Sequence, residues 1–393
     1  MSEVDISQTA LVSRLAAQHL PGLRLSGLEK LTGASVSATP LPIYDINGEL
    51  LFHDHFLVRD GHVVGTIRAA ANRKLGVQIV AIYDSAPGWN SAAALRMARE
   101  SFSSLHPEAH ITNMRLVCYA YPKIGVELRF RQKKKEGLEI FDASSGGRVA
   151  DTRGENDQFT RYSLLDRLGR SHHGANIARY EEAHVRLGEL QSPSAVDLSS
   201  GLSAANAQLY LPSWPLFGTT VGLVHQSPWC PNSPMGNSHY AQITDYFCVD
   251  ASAQMLLEHY GFNYTQNQIA VAMGTTPPSG TTGAGLASGF KTLTNNDLVL
   301  SFDNGASRDQ QFQDAINEVD ANRPLFTQVP HHYRVCMGYS VNTGVLAVIL
   351  GLNQMLYIFD PWPWNPNLCA PGSPYWESWS TSPVMWFGIV HHA

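Results

Sequence analysis

The run from Gln242 to Tyr260 constrains this chain most. Its first part, Gln242-Ile243-Thr244-Asp245-Tyr246-Phe247-Cys248, has no periodicity. Its second part sets Val249, Ala253, Leu256, Leu257 and Tyr260 on one helical face, with Gly261 as the stop. Such a face must be buried against another layer. A cysteine stands at the helix mouth, where the first N–H groups lack partners and the dipole end is positive. Both effects favour the thiolate, the form of cysteine that attacks.

The surrounding pattern gives the fold class. A capping box, Thr265-x-x-Gln268, opens a second helix that ends at Gly274. A weaker helix is predicted near 285–293. A fourth opens with Ser307-x-x-Gln310 and stops before Pro324. The period then becomes two, predicting strands at 325–329, 333–341, 345–350, 355–359 and 384–390. Helices followed by antiparallel strands make an α+β plan that sets a helix N-terminus beside a sheet face.

The first 142 residues have a different texture. A helix is predicted over 9–19, stopped by Pro21-Gly22. Strands meet at the turn pairs Asn47-Gly48 and Asp60-Gly61, and another covers 76–83. A helix over 91–105 and strands at 111–121, 126–130 and 138–142 complete one helix against a sheet of five or six antiparallel strands. The basic run 131–135 reads as a solvated hairpin tip. His53 and His55 share a strand face with no third ligand nearby and read as a surface pair. Residues 143–208 carry two polar helical patches. They end, over 191–208, in a stretch rich in Ser, Ala, Gly and Asn, where a protease would cut. The proline-rich residues 211–240 are expected to run extended over a surface. The expected organisation is therefore an α+β domain over 1–142, a linker over 143–208 and a second α+β domain over 209–393.

Charge follows the same division. Beyond residue 210 the basic residues are Lys291, Arg308, Arg323 and Arg334, against 11 acidic ones, out of 27 and 33 in the 393-residue chain. No basic stripe points to nucleic acid, and no apolar run suits a membrane span. Residues 1–25 lack the pattern of a secretory signal, so the expectation is a cytoplasmic start or export by a route the sequence does not display. The cysteines, Cys118, Cys230, Cys248, Cys336 and Cys369, are odd in number and widely spaced. They form neither a disulfide framework nor a zinc knuckle. His331, His332 and Cys336 do not share a strand face, so no metal or cofactor is expected.

The chemistry proposed for Cys248 requires partners. His332, at the start of a strand, is the candidate base; His331 would face the opposite way. Asp360, locked by Pro361 at the end of another strand, is suited to hold the imidazole's other N–H. Gln242 offers its amide to a developing oxyanion, together with the Cys248 N–H. Asp245 and Asp250 oppose ionisation of the thiol unless they point away as cap and solvent-facing residues.

In this order, Gln242, Cys248, His332 and Asp360 carry a resemblance. Residues 241–261 (AQITDYFCVDASAQMLLEHYG) resemble the nucleophile region of papain-like cysteine peptidases, in particular the C39-like and staphopain-like bacterial branches. Residues 264–276 (YTQNQIAVAMGTT), 331–340 (HHYRVCMGYS) and 357–365 (YIFDPWPWN) are similar to later motifs of that group. The resemblance covers about 211–393. It implies Cys248 as nucleophile, His332 as base, Asp360 as orienting residue and Gln242 as oxyanion glutamine. Many C39-like members have Cys-Gly-Pro-Ala where this chain has Cys248-Val249-Asp250-Ala251, and papain has Asn where Asp360 stands. In layout the N-terminal domain is similar to the inhibitory pro-domains of streptopain-type and staphopain-type zymogens. The expectation is a cysteine endopeptidase made as a zymogen, with a peptide or protein substrate and its own pro-domain as partners. An acyltransferase or deamidase on the same thiol, and a non-catalytic binding protein, are the alternatives. The aromatic residues Trp362, Trp364, Tyr375, Trp376, Trp379 and Trp386 are expected in the core and cleft wall, with the lining of the leaving-group side as the less favoured role.

Overall fold

A computed structural model describes residues 3–150 (without 24, 26 and 134), 161–190, 219–223 and 239–393 (without 304 and 367–371). The expected cut site at 191–208, residues 151–160 of the expected linker, most of the proline-rich stretch, Cys230 and Cys369 lie outside the described residues.

The elements in chain order are α1 (Ile6–Leu23), β1 (Ser35–Val36), β2 (Leu41–Asp45), β3 (Leu50–Arg59), β4 (His62–Ala70), β5 (Ile79–Tyr83), α2 (Ser91–Leu105), β6 (His110–Ala120), β7 (Lys123–Gln132), β8 (Lys135–Asp142), α3 (Leu164–Arg167) and α4 (His173–Leu190). After β9 (Thr219–Leu223) come α5 (Cys248–His259), α6 (Gln266–Met273), α7 (Gly283–Leu293), β10 (Leu298–Phe302), α8 (Arg308–Asp320), β11 (Leu325–Val329), β12 (His332–Asn342), α9 (Val345–Leu350), β13 (Gln354–Asp360), β14 (Ser373–Ser378) and β15 (Trp386–His392). The fold is α+β. Among the described residues no helix is long and apolar enough to cross a membrane.

Local chemistry explains most boundaries. Asp60 and Gly61 both take positive φ, 51° and 78°, the turn geometry that continues the twist of β3 into β4. Thr265 and Gln268 form a full capping box on α6. At α8 only the Ser307 half is made, and the Gln310 side chain turns to Asp314 instead.

Among the described residues all strands belong to one sheet, in the order β10-β15-β11-β12-β13-β14-β5-β4-β3-β2-β6-β7-β8, with β1 beside β3 and β9 beside β12. The N-terminal strands thus continue the C-terminal ones edge to edge. The junction is β14 on β5, with Tyr375 opposite Tyr83 and Glu377 opposite Ala81. Burial is continuous across it. One core holds Leu15 and Leu20 of α1, Ile67 and Ile82 of the N-terminal strands, and Leu256 and Trp376 of the C-terminal half. A second core lies between α2 and β6–β8. Without β5 the edge of β14 would present unpaired N–H and C=O groups.

Several expectations are corrected. Helix α1 continues through Pro21 to Leu23. Pro21 sits in the last turn, so its missing N–H removes the single bond to the Ala17 carbonyl close to the helix end. Both α1 and α2 pack on N-terminal strands, where one helix was expected. The sheet is also not wholly antiparallel, since β2 pairs with β6 in parallel. The strand expected at 345–350 is helix α9. Gly351 closes it in the left-handed region, and Val345 and Val348, three residues apart, are its exposed positions. Helix α5 is buried on all sides, with Cys248 through Leu257 inside. His53 and His55 are also interior: Thr9 Oγ1 lies 2.9 Å from His53 Nδ1 and 3.2 Å from His55 Nε2.

Candidate active site

The hairpin from β11 to β12 pairs Val329 with His332 across the turn Pro330-His331, and His331 takes φ 58°. His331 is therefore a turn residue. His332 begins β12 at the same sheet end where β13 finishes in Asp360, because the two strands are antiparallel. His332 Nε2 donates to Asp360 Oδ1 at 2.7 Å. The same oxygen accepts the Trp362 N–H at 2.8 Å. His332 Nδ1 is buried and, among the described residues, has no hydrogen-bond partner.

Helix α5 packs on β12 and brings its first residue to this end. The Tyr333 N–H points to Cys248 Sγ at 3.4 Å. Gln242 is tied to the segment after Asp360: its N–H donates to Pro361 O at 2.9 Å, and its carbonyl accepts from Asn365 N at 2.8 Å. Its side-chain Nε2 donates to Thr244 O at 2.7 Å, while Oε1 is buried without a partner among the described residues. Of the four residues, spread over 119 positions, His332 and Asp360 are bonded directly, Cys248 meets the N–H of the residue after His332, and Gln242 meets the carbonyl of the residue after Asp360.

Beside them lies a buried polar group that no sequence pattern marks. Arg334 shares the strand face of His332. Its Nη1 donates to Tyr375 Oη and to Glu377 Oε2, both at 2.6 Å. Tyr375 donates in turn to Asp360 Oδ2 at 3.4 Å. Burial alone would raise the pKa of Asp360, but His332, Arg334 and the Trp362 N–H outweigh it and hold the carboxyl below its usual range.

Cys248, His332 and Gln242 have no exposed surface, and Asp360 has 1 %. The N-terminal half forms part of their cover. The turn Tyr121-Pro122-Lys123 between β6 and β7 reaches the site. Lys123 is wholly buried, with Nζ 4.5 Å from the centre of the Trp362 ring. The Tyr162 ring lies 6.1 Å from that of His331.

This cover sets the protonation of the pair. Burial pushes the Cys248 thiol up to about 12, against opposing pulls from Lys123 and the Tyr333 N–H. Burial lowers His332 to about 4; Asp360 works against the shift and Lys123 with it. In this form sulfur and imidazole are both neutral at pH 7. Asp250 does not point to solvent. It is buried, accepts from Thr275 Oγ1 at 2.8 Å, and burial pushes it up to about 7. Asp245 is half-buried; burial raises its pKa and Lys123 lowers it.

Among the described residues no group of three or more His, Cys, Asp or Glu could hold a metal ion. Cys118 and Cys336 are free and buried, with burial raising both thiols and Cys336 reaching about 12. The sequence singled out Gln242, Cys248, His332 and Asp360 but missed Lys123, Arg334 and Glu377. The one signal for Lys123 was a lone charge inside the apolar run Leu116 to Val126.

Residues 236–379 match the model of the Peptidase_C39 like family. The matched stretch contains Gln242, Cys248, His332 and Asp360, and the match supports a papain-like cysteine peptidase in this part of the chain. No curated protein matches the chain.

Proposed function

We propose that the chain is a papain-like cysteine endopeptidase held in a covered, inactive form by its N-terminal half. The observation that carries this reading is His332. Its Nε2 is engaged by Asp360, which leaves Nδ1 as the nitrogen for the neighbouring thiol at the mouth of α5.

With the cleft open to water, Cys248 transfers its proton to His332 Nδ1. The thiolate attacks the scissile carbonyl carbon, the C–S bond forms and the carbonyl electrons move to oxygen. The Cys248 N–H and the second N–H of the Gln242 amide are suited to receive that oxyanion. Collapse breaks the C–N bond, and the imidazolium gives its proton to the leaving amine. Water then attacks the thioester with Nδ1 taking its proton; the acid leaves and the thiol is restored. Asp360 keeps the ring oriented throughout and stabilises the imidazolium.

The zymogen part of the reading rests on the burial of all four residues and on Lys123 among them. A neutral thiol near pKa 12 does not attack at pH 7, so uncovering is the activating step. The cut is expected within residues 191–208. Replacing Cys248 by Ala should abolish both peptide cleavage and labelling at this position by a thiol-directed epoxide. Cleavage that persists in Cys248→Ala contradicts the reading.

A further inference from the structure

Lysine is almost never fully buried unless it is paired. Lys123 is fully buried, and it is the only charge in an apolar run of β6 and β7. Its surroundings are built to receive it. The face of Trp362 lies 4.5 Å from Nζ. Desolvation lowers its pKa, and the carboxylates of Asp142, Asp360 and Asp245 oppose that shift.

Ownership of these groups decides what the arrangement means. Asp142 belongs to the N-terminal half and is already engaged. It accepts from Tyr119 Oη, and its other oxygen accepts from the N–H and hydroxyl groups of Ser144 and Ser145. Trp362, Asp245, Asp360 and Cys248 belong to the C-terminal half. A simple ionic lock needs only a partner for Lys123. Here the ammonium also lies on an aromatic face that the C-terminal half supplies, that of Trp362, whose N–H donates to Asp360 Oδ1 at 2.8 Å. When the N-terminal half leaves, the Trp362 ring and the carboxylates of Asp245 and Asp360 stay with the C-terminal half. An aromatic face with nearby carboxylates attracts an ammonium over a neutral chain of equal length.

We propose that the cleft beside Cys248 is a binding site for a primary ammonium, that the peptidase cleaves next to lysine side chains of its substrate, and that Lys123 fills this site in the covered form. The second part rests on the peptidase reading; the first does not.

The test uses the full chain. In the Lys123→Ala variant, calorimetric titration with n-butylammonium chloride should show one saturable site, absent from the unaltered chain and not filled by 1-pentanol. Adding Trp362→Leu should weaken that binding at least fivefold. Should Lys123→Ala not fold, Lys123→Met combined with the same titration of its opened form at mild urea serves instead. No binding, or equal binding of the alcohol, overturns the ammonium site. Separately, a peptide library digested by the reduced, activated chain should be enriched in lysine at the residue flanking the cut, and Trp362→Leu should reduce the enrichment at least fivefold. Cleavage without such enrichment overturns the substrate assignment and leaves the peptidase standing. Ammonium binding with no cleavage of any peptide supports the site and overturns the peptidase reading.

Discussion

The two ends of β7 place lysine in opposite settings. At one end the tip 131–135 carries four basic residues; Lys133 is 83 % exposed, and Arg131 pairs with Glu136 at the surface. At the other end a single lysine, Lys123, is wholly buried against the ring of Trp362. Charge density marks the solvated end, because several like charges are stable only in water. The isolated charge is the informative one. Burying it needs partners from elsewhere, and here the partners belong to the candidate site.

The first and largest contrast sets buried against exposed ion pairs. Replacing Arg334 by Met leaves Glu377 buried and unpaired and removes a support of Tyr375 and Asp360, so unfolding free energy should drop by about 3–5 kcal/mol. Replacing Arg131 by Met should leave denaturant unfolding unchanged. Equal effects would erase the distinction between the two settings.

Next in size is the difference between the two lysines as covers. Lys123→Glu places a further carboxylate beside Asp245 and Asp360, which should expel the turn and admit water to Cys248. The rate of iodoacetamide labelling at Cys248 should rise at least tenfold at pH 7. Lys133→Glu should not change it. Unchanged labelling in Lys123→Glu means that the turn does not control the thiol.

The smallest effect concerns Asp250. Burial holds it at about 7 in the folded chain, against about 3.9 when unfolded. Between these values the folded chain keeps a proton that the unfolded chain has lost. Stability therefore falls as pH rises from about 4 to about 7, and the ionised group remains a cost above that. Asp250→Asn should raise the thermal midpoint by roughly 2 °C or more at pH 8 and leave it unchanged near pH 4. A variant that is less stable at pH 8 would mean that the carboxylate is stabilised by charge partners.

Much of the molecule was legible because local rules decide it. The pairs Asn47-Gly48 and Asp60-Gly61, the helix over 91–105 and the box Thr265 to Gln268 depend on neighbours a few residues away. The apolar run 345–350 was not legible: six buried-type residues fit a strand or a helix equally, and only tertiary packing decided for α9. The pairing of β14 with β5 was not legible either. Alternation says which face of a strand is buried, not which strand lies beside it. The candidate site divides in the same way. Cys248 at a helix mouth and Asp360 before Pro361 stand out as local patterns. Arg334 looks like any strand residue, and Lys123 gains its meaning only from a segment 239 positions away, at Trp362.

The central claim is that this thiol is a peptidase nucleophile that begins covered and frees itself. The most direct measurement incubates the purified chain and its Cys248→Ala variant with a reductant and sequences any new N-terminus. The expected result is a cut within residues 191–210 in the unaltered chain and none in the variant. The same cut in both, or an unaltered chain that stays intact while its Cys248 is readily labelled, would contradict the account.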